Sequence, residues 1–306
     1  MRILKSTESG RILETLYKIP TNNQFNQNVL IVGASGSGKS FLSALLKAER
    51  KPKITMIFKE DTTYESSKVL RISELRIPPE LDKAAFLTSF SEALDIGQIG
   101  IMASAIPSVL SKAYGTAEQM KRRLKTSIEK QKGLEAEIQR FILSQIELFY
   151  PDEYKKKLEN LTDRIRATVL SLDGLSQQEQ IYFADYILRI LQKSISGEGI
   201  LIDEIHRLKN LNQTIISEIV REIRHKGYII AATQSLSDLP EALVNNFGTI
   251  FHFNSIHFSD LRNLATLDPE IPNTVSQLGP RQFIEIRRFA GEWKKKFKFI
   301  YEAINE

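Results

Sequence analysis

A chain of 306 residues allows one large domain or two modest ones, long enough to bury a real core, and excludes a peptide hormone or a small stapled scaffold. Its 42 Lys and Arg against 37 Asp and Glu leave a net charge of +5, which permits an anionic partner without demanding one. The lack of cysteine excludes disulfides, thiolate metal sites, Fe–S clusters and a Cys nucleophile.

The start, Met1-Arg2-Ile3-Leu4-Lys5-Ser6, turns polar at once. The longest apolar stretch, near Gly100–Leu110, is broken by Ser104 and Pro107, so no membrane span is expected and the chain reads as soluble and cytoplasmic. Residues Arg2–Leu4 and Ile12–Tyr17 flank Thr7-Glu8-Ser9-Gly10 and predict a short hairpin. With the polar run Thr21–Gln27 they form an N-terminal β-extension and linker over 1–27. Asn28-Val29-Leu30-Ile31-Val32 is a β-branched run of the kind buried on both faces of a parallel sheet. A glycine-rich loop, a helical pattern (Phe41, Leu42, Leu45, Leu46) and a second strand, Ile54–Phe58, complete a β-loop-α-β unit, the first part of a core over 28–80.

Over 81–166 the character becomes helical, with Met120, Leu124, Ile128, Leu134, Ile138, Phe141 and Ile142 at spacings near 3.6, which predicts an inserted helical subdomain packed along that stripe. From 167 to 306 strands and helices alternate again: Ala167–Leu172, helix Gln177–Lys193, Gly199–Ile202, helix Leu211–His225, Tyr228–Ala232, Thr249–Phe253, and a closing hairpin of Gln282–Arg288 with Lys294–Ile300. The expected fold class is α/β, a mostly parallel sheet covered by helices on both faces.

Gly33-Ala34-Ser35-Gly36-Ser37-Gly38-Lys39-Ser40 matches G-x-x-x-x-G-K-[ST] between a strand and a helix. Glycines let successive N–H groups and the positive helix end face phosphate oxygens, so this segment with Phe41 after it is the candidate ATP-binding set. Lys39 would reach the β- and γ-phosphates and Ser40 would ligate Mg²⁺. Gly199–Ile202 delivers Asp203 and Glu204 at a strand's carboxyl end: Asp203 as the second Mg²⁺ ligand, Glu204 as the group that polarises the attacking water. Tyr228–Ala232 ends in Thr233-Gln234-Ser235, where Gln234 is either an ordinary strand-end amide or a group that hydrogen-bonds the γ-phosphate or the lytic water and so reports hydrolysis. The basic helix end Arg221-Glu222-Ile223-Arg224-His225-Lys226-Gly227 could serve the helix dipole alone, or project Arg224 or Arg221 into a neighbouring subunit's site.

Together these residues resemble the HerA/FtsK superfamily of ring-forming, DNA-translocating ATPases, in its HerA-type branch. The resemblance rests on Gly33–Ser40, on Leu170–Ser176 with Gln178-Glu179-Gln180, on Ile200–His206, Arg224–Gly227, Ala232-Thr233-Gln234 and Leu278–Phe283. It implies a RecA-like core of the additional-strand, catalytic-glutamate kind and a hexameric ring acting on duplex DNA. It also implies that Lys39 and Ser40 serve the nucleotide, Asp203 and Glu204 the metal and water, Gln234 the sensor and Arg224 the finger. Members usually carry an N-terminal β-barrel that is absent from 1–27, so a docked nuclease partner is not implied, and a minimal plasmid- or virus-encoded translocase, packaging or transferring DNA, fits as well. A nucleotide-gated assembly module is the reading outside the motor class.

Basic clusters at Lys121–Arg123 with Lys125, at Lys155–Lys157 and at Lys294–Lys296 are either solvated faces or backbone contacts to DNA. His252 and His257 lack companions at metal spacing and are read as packing residues. No Asn-Lys-x-Asp guanine reader is present, which disfavours a GTPase.

Overall fold

The computed structural model describes residues 3–6, 26–59, 69–74, 76–94, 101–151, 169–208, 220–223, 225–254, 257–279, 281–289 and 292–302. The chain divides into two compact units, one of residues 1–57, 61–67 and 195–306, the other of 58–60 and 68–194.

The first unit is built on strands β1 (Ile3–Ser6), β2 (Val29–Val32), β3 (Ile54–Ile57), β6 (Gly199–Ile202), β7 (Tyr228–Thr233), β8 (Thr249–Phe253), β9 (Gln282–Phe289) and β10 (Glu292–Glu302). They lie in the order β1-β10-β9-β8-β2-β7-β6-β3. The five from β8 to β3 are parallel, with Leu30 of β2 level with Ala231 of β7 and Ile250 of β8. The remaining three join antiparallel, β9 on β8, β10 on β9 and β1 on β10. β1 therefore pairs with the C-terminal strand; its expected hairpin mate, Ile12–Tyr17, lies outside the described residues.

Val29, Leu30, Ile31 and Val32 are all 0% exposed, as the unbroken apolar run of β2 requires for a strand flanked on both sides and covered on both faces. Helix α1 (Lys39–Arg50) packs Leu42 and Leu46 with Val29, Ile31, Leu201, Ile230, Ala232 and Phe251 in one apolar cluster. β7 lies between β2, which carries the glycine loop, and β6, which carries the acids. That intervening strand is the additional strand expected of the fold.

The second unit holds the parallel pair β4 (Val69–Arg71) and β5 (Val169–Ser171) with helices α2 (Lys83–Ala93), α3 (Ile101–Ala113), α4 (Ala117–Lys130), α5 (Leu134–Phe149) and the helix Gln177–Ser194. Met120, Leu124, Ile138 and Ile142 of the predicted stripe are buried, and a Thr116–Gln119 capping box starts α4. Leu134 is the exception, 48% exposed, because the chain breaks at Gly133 (φ +76°) and restarts α5 in a new phase. Among the described residues no helix is long and apolar enough to cross a membrane.

Candidate functional site

β2 ends at Val32 and the chain leaves the sheet through the glycine loop before α1 begins at Lys39. Gly33 donates its N–H to the Thr233 carbonyl (3.2 Å), and a Cβ there would fall 2.6 Å from Ser37 Oγ and 2.8 Å from Phe253 Cβ. Only glycine fits. The Ser37 N–H turns back to the Ala34 carbonyl at 3.2 Å, while Ala34, Ser35 and Gly36 face solvent at the turn. Gly38, at φ +109°, starts α1 in a conformation that L side chains rarely adopt. No side chain caps α1 and its first turn holds no acid, so the amides of Lys39, Ser40 and Phe41 open the helix at its positive end. That donor set fits a polyphosphate.

Lys39 is 8% exposed and donates from Nζ to the Ala34 carbonyl at 3.0 Å. Burial pushes its pKa below the ordinary lysine range, and the carboxylates of Glu204 and then Asp203 pull it back up. Loop and acids therefore share one electrostatic site, although Asp203 and Glu204 follow Lys39 by 164 and 165 residues of sequence.

 What brings the three together is the sheet order, which sets β2, β7 and β6 side by side.

At the end of β6 the Asp203 N–H donates to the Met56 carbonyl on β3 (2.9 Å), and the Glu204 N–H donates to Asp203 Oδ1 (3.1 Å). Glu204 itself sits at φ +56°, a left-handed conformation that costs a non-glycine residue about 1–3 kcal/mol. It turns the chain into a short helical turn, Ile205–Leu208. Gln234, the first residue past β7, donates from Nε2 to Glu204 Oε2 at 3.0 Å. His206 Nε2 lies 3.1 Å from the same oxygen, and His206 Nδ1 lies 3.4 Å from Thr233 Oγ1. The donor set also suits Mg²⁺: Ser40 and Asp203 offer hard oxygen ligands, and that ion usually takes few protein ligands beside substrate phosphates. Among the described residues no three His, Asp or Glu side chains cluster to hold a metal by themselves.

The structure thus brings Lys39, Asp203, Glu204 and Gln234 together. Arg221 is half-exposed and pairs only loosely with Glu222 (3.9 Å), a surface contact of little energetic weight, and Arg224 lies outside the described residues. In the first basic cluster, Arg123 donates to the Ala113 carbonyl (3.3 Å) and to the Tyr114 carbonyl at the end of α3, and Lys125 pairs with Glu147 (3.0 Å). Those two cations are engaged within their own unit. Lys155–Lys157 lies outside the described residues, and Lys294–Lys296 lies on β10.

His206, Thr233 and Phe253 carry weight that the sequence reading did not give them. Phe253, at the end of β8, backs both Gly33 and Gly38; its position at a strand end beside β2 was the only available signal. His252 is fully buried, its Nδ1–H donating to the Phe253 carbonyl at 2.6 Å, as a packing residue would be. Burial lowers its pKa, against the pull of that carbonyl and of Asp260. A depressed histidine pKa favours the neutral form in the folded state, so stability is full above the unfolded value of 6.5 and is lost as pH falls below it. Thermal midpoints measured down that range are expected to fall, and to fall less for His252→Gln; equal slopes would refute the assignment.

No family model and no curated protein matches this chain. Solved structures do. VirB4 of Thermoanaerobacter pseudethanolicus is similar with a TM-score of 0.68 at 14% identity, over 99% of this chain and 96% of that one. The bacterial conjugative coupling protein TrwB is similar with a TM-score of 0.52 at 13% identity, over 92% and 86%. Sheet order, loop position and these similarities give the chain the fold of the RecA-like P-loop NTPases.

Proposed function

We propose that this chain is an ATPase of the HerA/FtsK superfamily, in its HerA-type branch, that hydrolyses ATP to move duplex DNA through a hexameric ring of identical subunits. The observation that carries the reading is the electrostatic coupling of Lys39 to Glu204 and Asp203, with Glu204 held in turn by Gln234. Amides of the loop tip and of the first turn of α1, through Phe41, cradle the phosphates, and Lys39 leaves the Ala34 carbonyl to neutralise charge on the β- and γ-phosphates. Ser40 and Asp203 would hold Mg²⁺, which when bound neutralises charge on the same oxygens. As the water oxygen bonds to the γ-phosphorus and the bond to the β–γ bridging oxygen breaks, Glu204 takes the proton of the water. Gln234 turns toward the γ-phosphate, and an arginine of a neighbouring copy, Arg224 or Arg221, completes the site.

The test is the ATPase rate with and without linear duplex DNA at low and high salt. Stimulation that fades steeply with salt is expected, because backbone contacts release counterions. Unchanged hydrolysis over a DNA titration would leave the nucleotide-gated assembly module instead. DNA transfer or packaging is the second reading, favoured by likeness to a conjugative coupling protein; it uses the same site and differs in where the DNA is delivered.

A further inference from the structure

We propose that His206 is the positioning residue that fixes the general base, an inference that rests on reading Glu204 as that base. Both neighbours of the Glu204 carboxylate, Gln234 Nε2 at 3.0 Å and His206 Nε2 at 3.1 Å, fall on Oε2. One carboxylate oxygen offers two lone pairs, so these donors occupy Oε2 and leave Oε1 to receive the proton of the water.

The two anchors differ in kind. Gln234 follows the last residue of β7, its side chain is long, and during turnover its amide has a second acceptor in the γ-phosphate. His206 sits in the turn Ile205–Leu208, whose flanking Ile205 and Leu208 are 1% and 0% exposed. Its ring is backed at 3.4 Å by Thr233 Oγ1, on a residue that is 0% exposed; the single O–H there reaches either Nδ1 or the Ser235 carbonyl (3.2 Å), and given to Nδ1 it leaves the ring proton on Nε2 for Glu204. When Gln234 turns to phosphate, His206 is the anchor that stays. It keeps the carboxylate from rotating about its last bond and from being drawn onto the Lys39 ammonium, whose charge it already feels.

The experiment compares kcat and the Kd for a non-hydrolysable ATP analogue in wild type, His206→Ala, His206→Gln and His206→Asn. A glutamine amide nitrogen can stand where Nε2 stands and donate to Glu204, whereas an asparagine amide stands nearer Nδ1. His206→Ala and His206→Asn are expected to lower kcat by about tenfold to a hundredfold with Kd little changed, the cost of a misplaced catalytic group, while His206→Gln stays near wild type. Wild-type turnover in His206→Ala, rescue by Asn rather than Gln, or parallel loss of binding and turnover in every variant would overturn the proposal. If His206→Ala does not fold, the Gln and Asn pair decides by the same criterion. Normal turnover by Glu204→Gln would instead overturn the reading of the base, and with it this inference.

Discussion

Glu204→Gln is expected to bind ATP as wild type does and to hydrolyse it at least about a hundredfold more slowly, the range set by removing a general base. The amide keeps the size of the side chain and can still meet Gln234 and His206, so the loop, Lys39 and the helix end proposed to hold the phosphates are undisturbed. What it loses is the capacity to take a proton at neutral pH. Phosphate release measured beside nucleotide binding separates the two effects. Turnover within about threefold of wild type would remove Glu204 from the role of base.

Tyr182→Ala is expected to destabilise the second unit by about 3–5 kcal/mol, the usual cost of truncating a buried aromatic. Tyr182 is 0% exposed, stacked on Phe149 (centroids 4.7 Å apart, planes at 6°) and on Tyr186 (5.9 Å, 15°), and meets Phe86, Phe90 and Tyr150 edge-on. Its hydroxyl is 2.6 Å from that of Tyr150, which donates to the Ile77 carbonyl at 2.9 Å, so Tyr182 is the donor of the pair. Tyr182→Phe removes that one bond and is expected to cost about 1 kcal/mol. Denaturant unfolding of both variants checks the ratio, and a loss below about 1 kcal/mol for the alanine would mean that the cluster is not the core of its unit.

The buried strands were legible because a strand covered on both faces needs an unbroken β-branched run between turn residues. Thr249–Phe253 was expected over the very residues that form β8, and Gly199–Ile202 over those of β6. β4 was not, since Val69-Leu70-Arg71 is three residues long and partly exposed, with no period to read. The break between α4 and α5 was missed because a lone glycine is weak punctuation inside a 3.6-residue pattern. In the site, the glycine loop and the acids carry local signatures, and Gln234 follows from chain order. The pairing of His206 with Thr233 has no such signature: it exists only because β6 and β7 are adjacent, which fixes two strand ends side by side whatever their spacing in sequence.

The additional strand β7 has a mechanical consequence. Six residues at about 3.3 Å each make a rod roughly 20 Å long. It is bonded to β2 on one side and β6 on the other. Its upper tip carries Gln234; its lower tip follows Gly227, which is packed so closely on the Glu198 carbonyl that a Cβ would lie 2.0 Å from it. Gln234 and the basic turn that precedes β7 therefore stand at opposite ends of one strand, so that in the proposed motor a displacement at the glutamine would have to run the length of β7 to reach that turn.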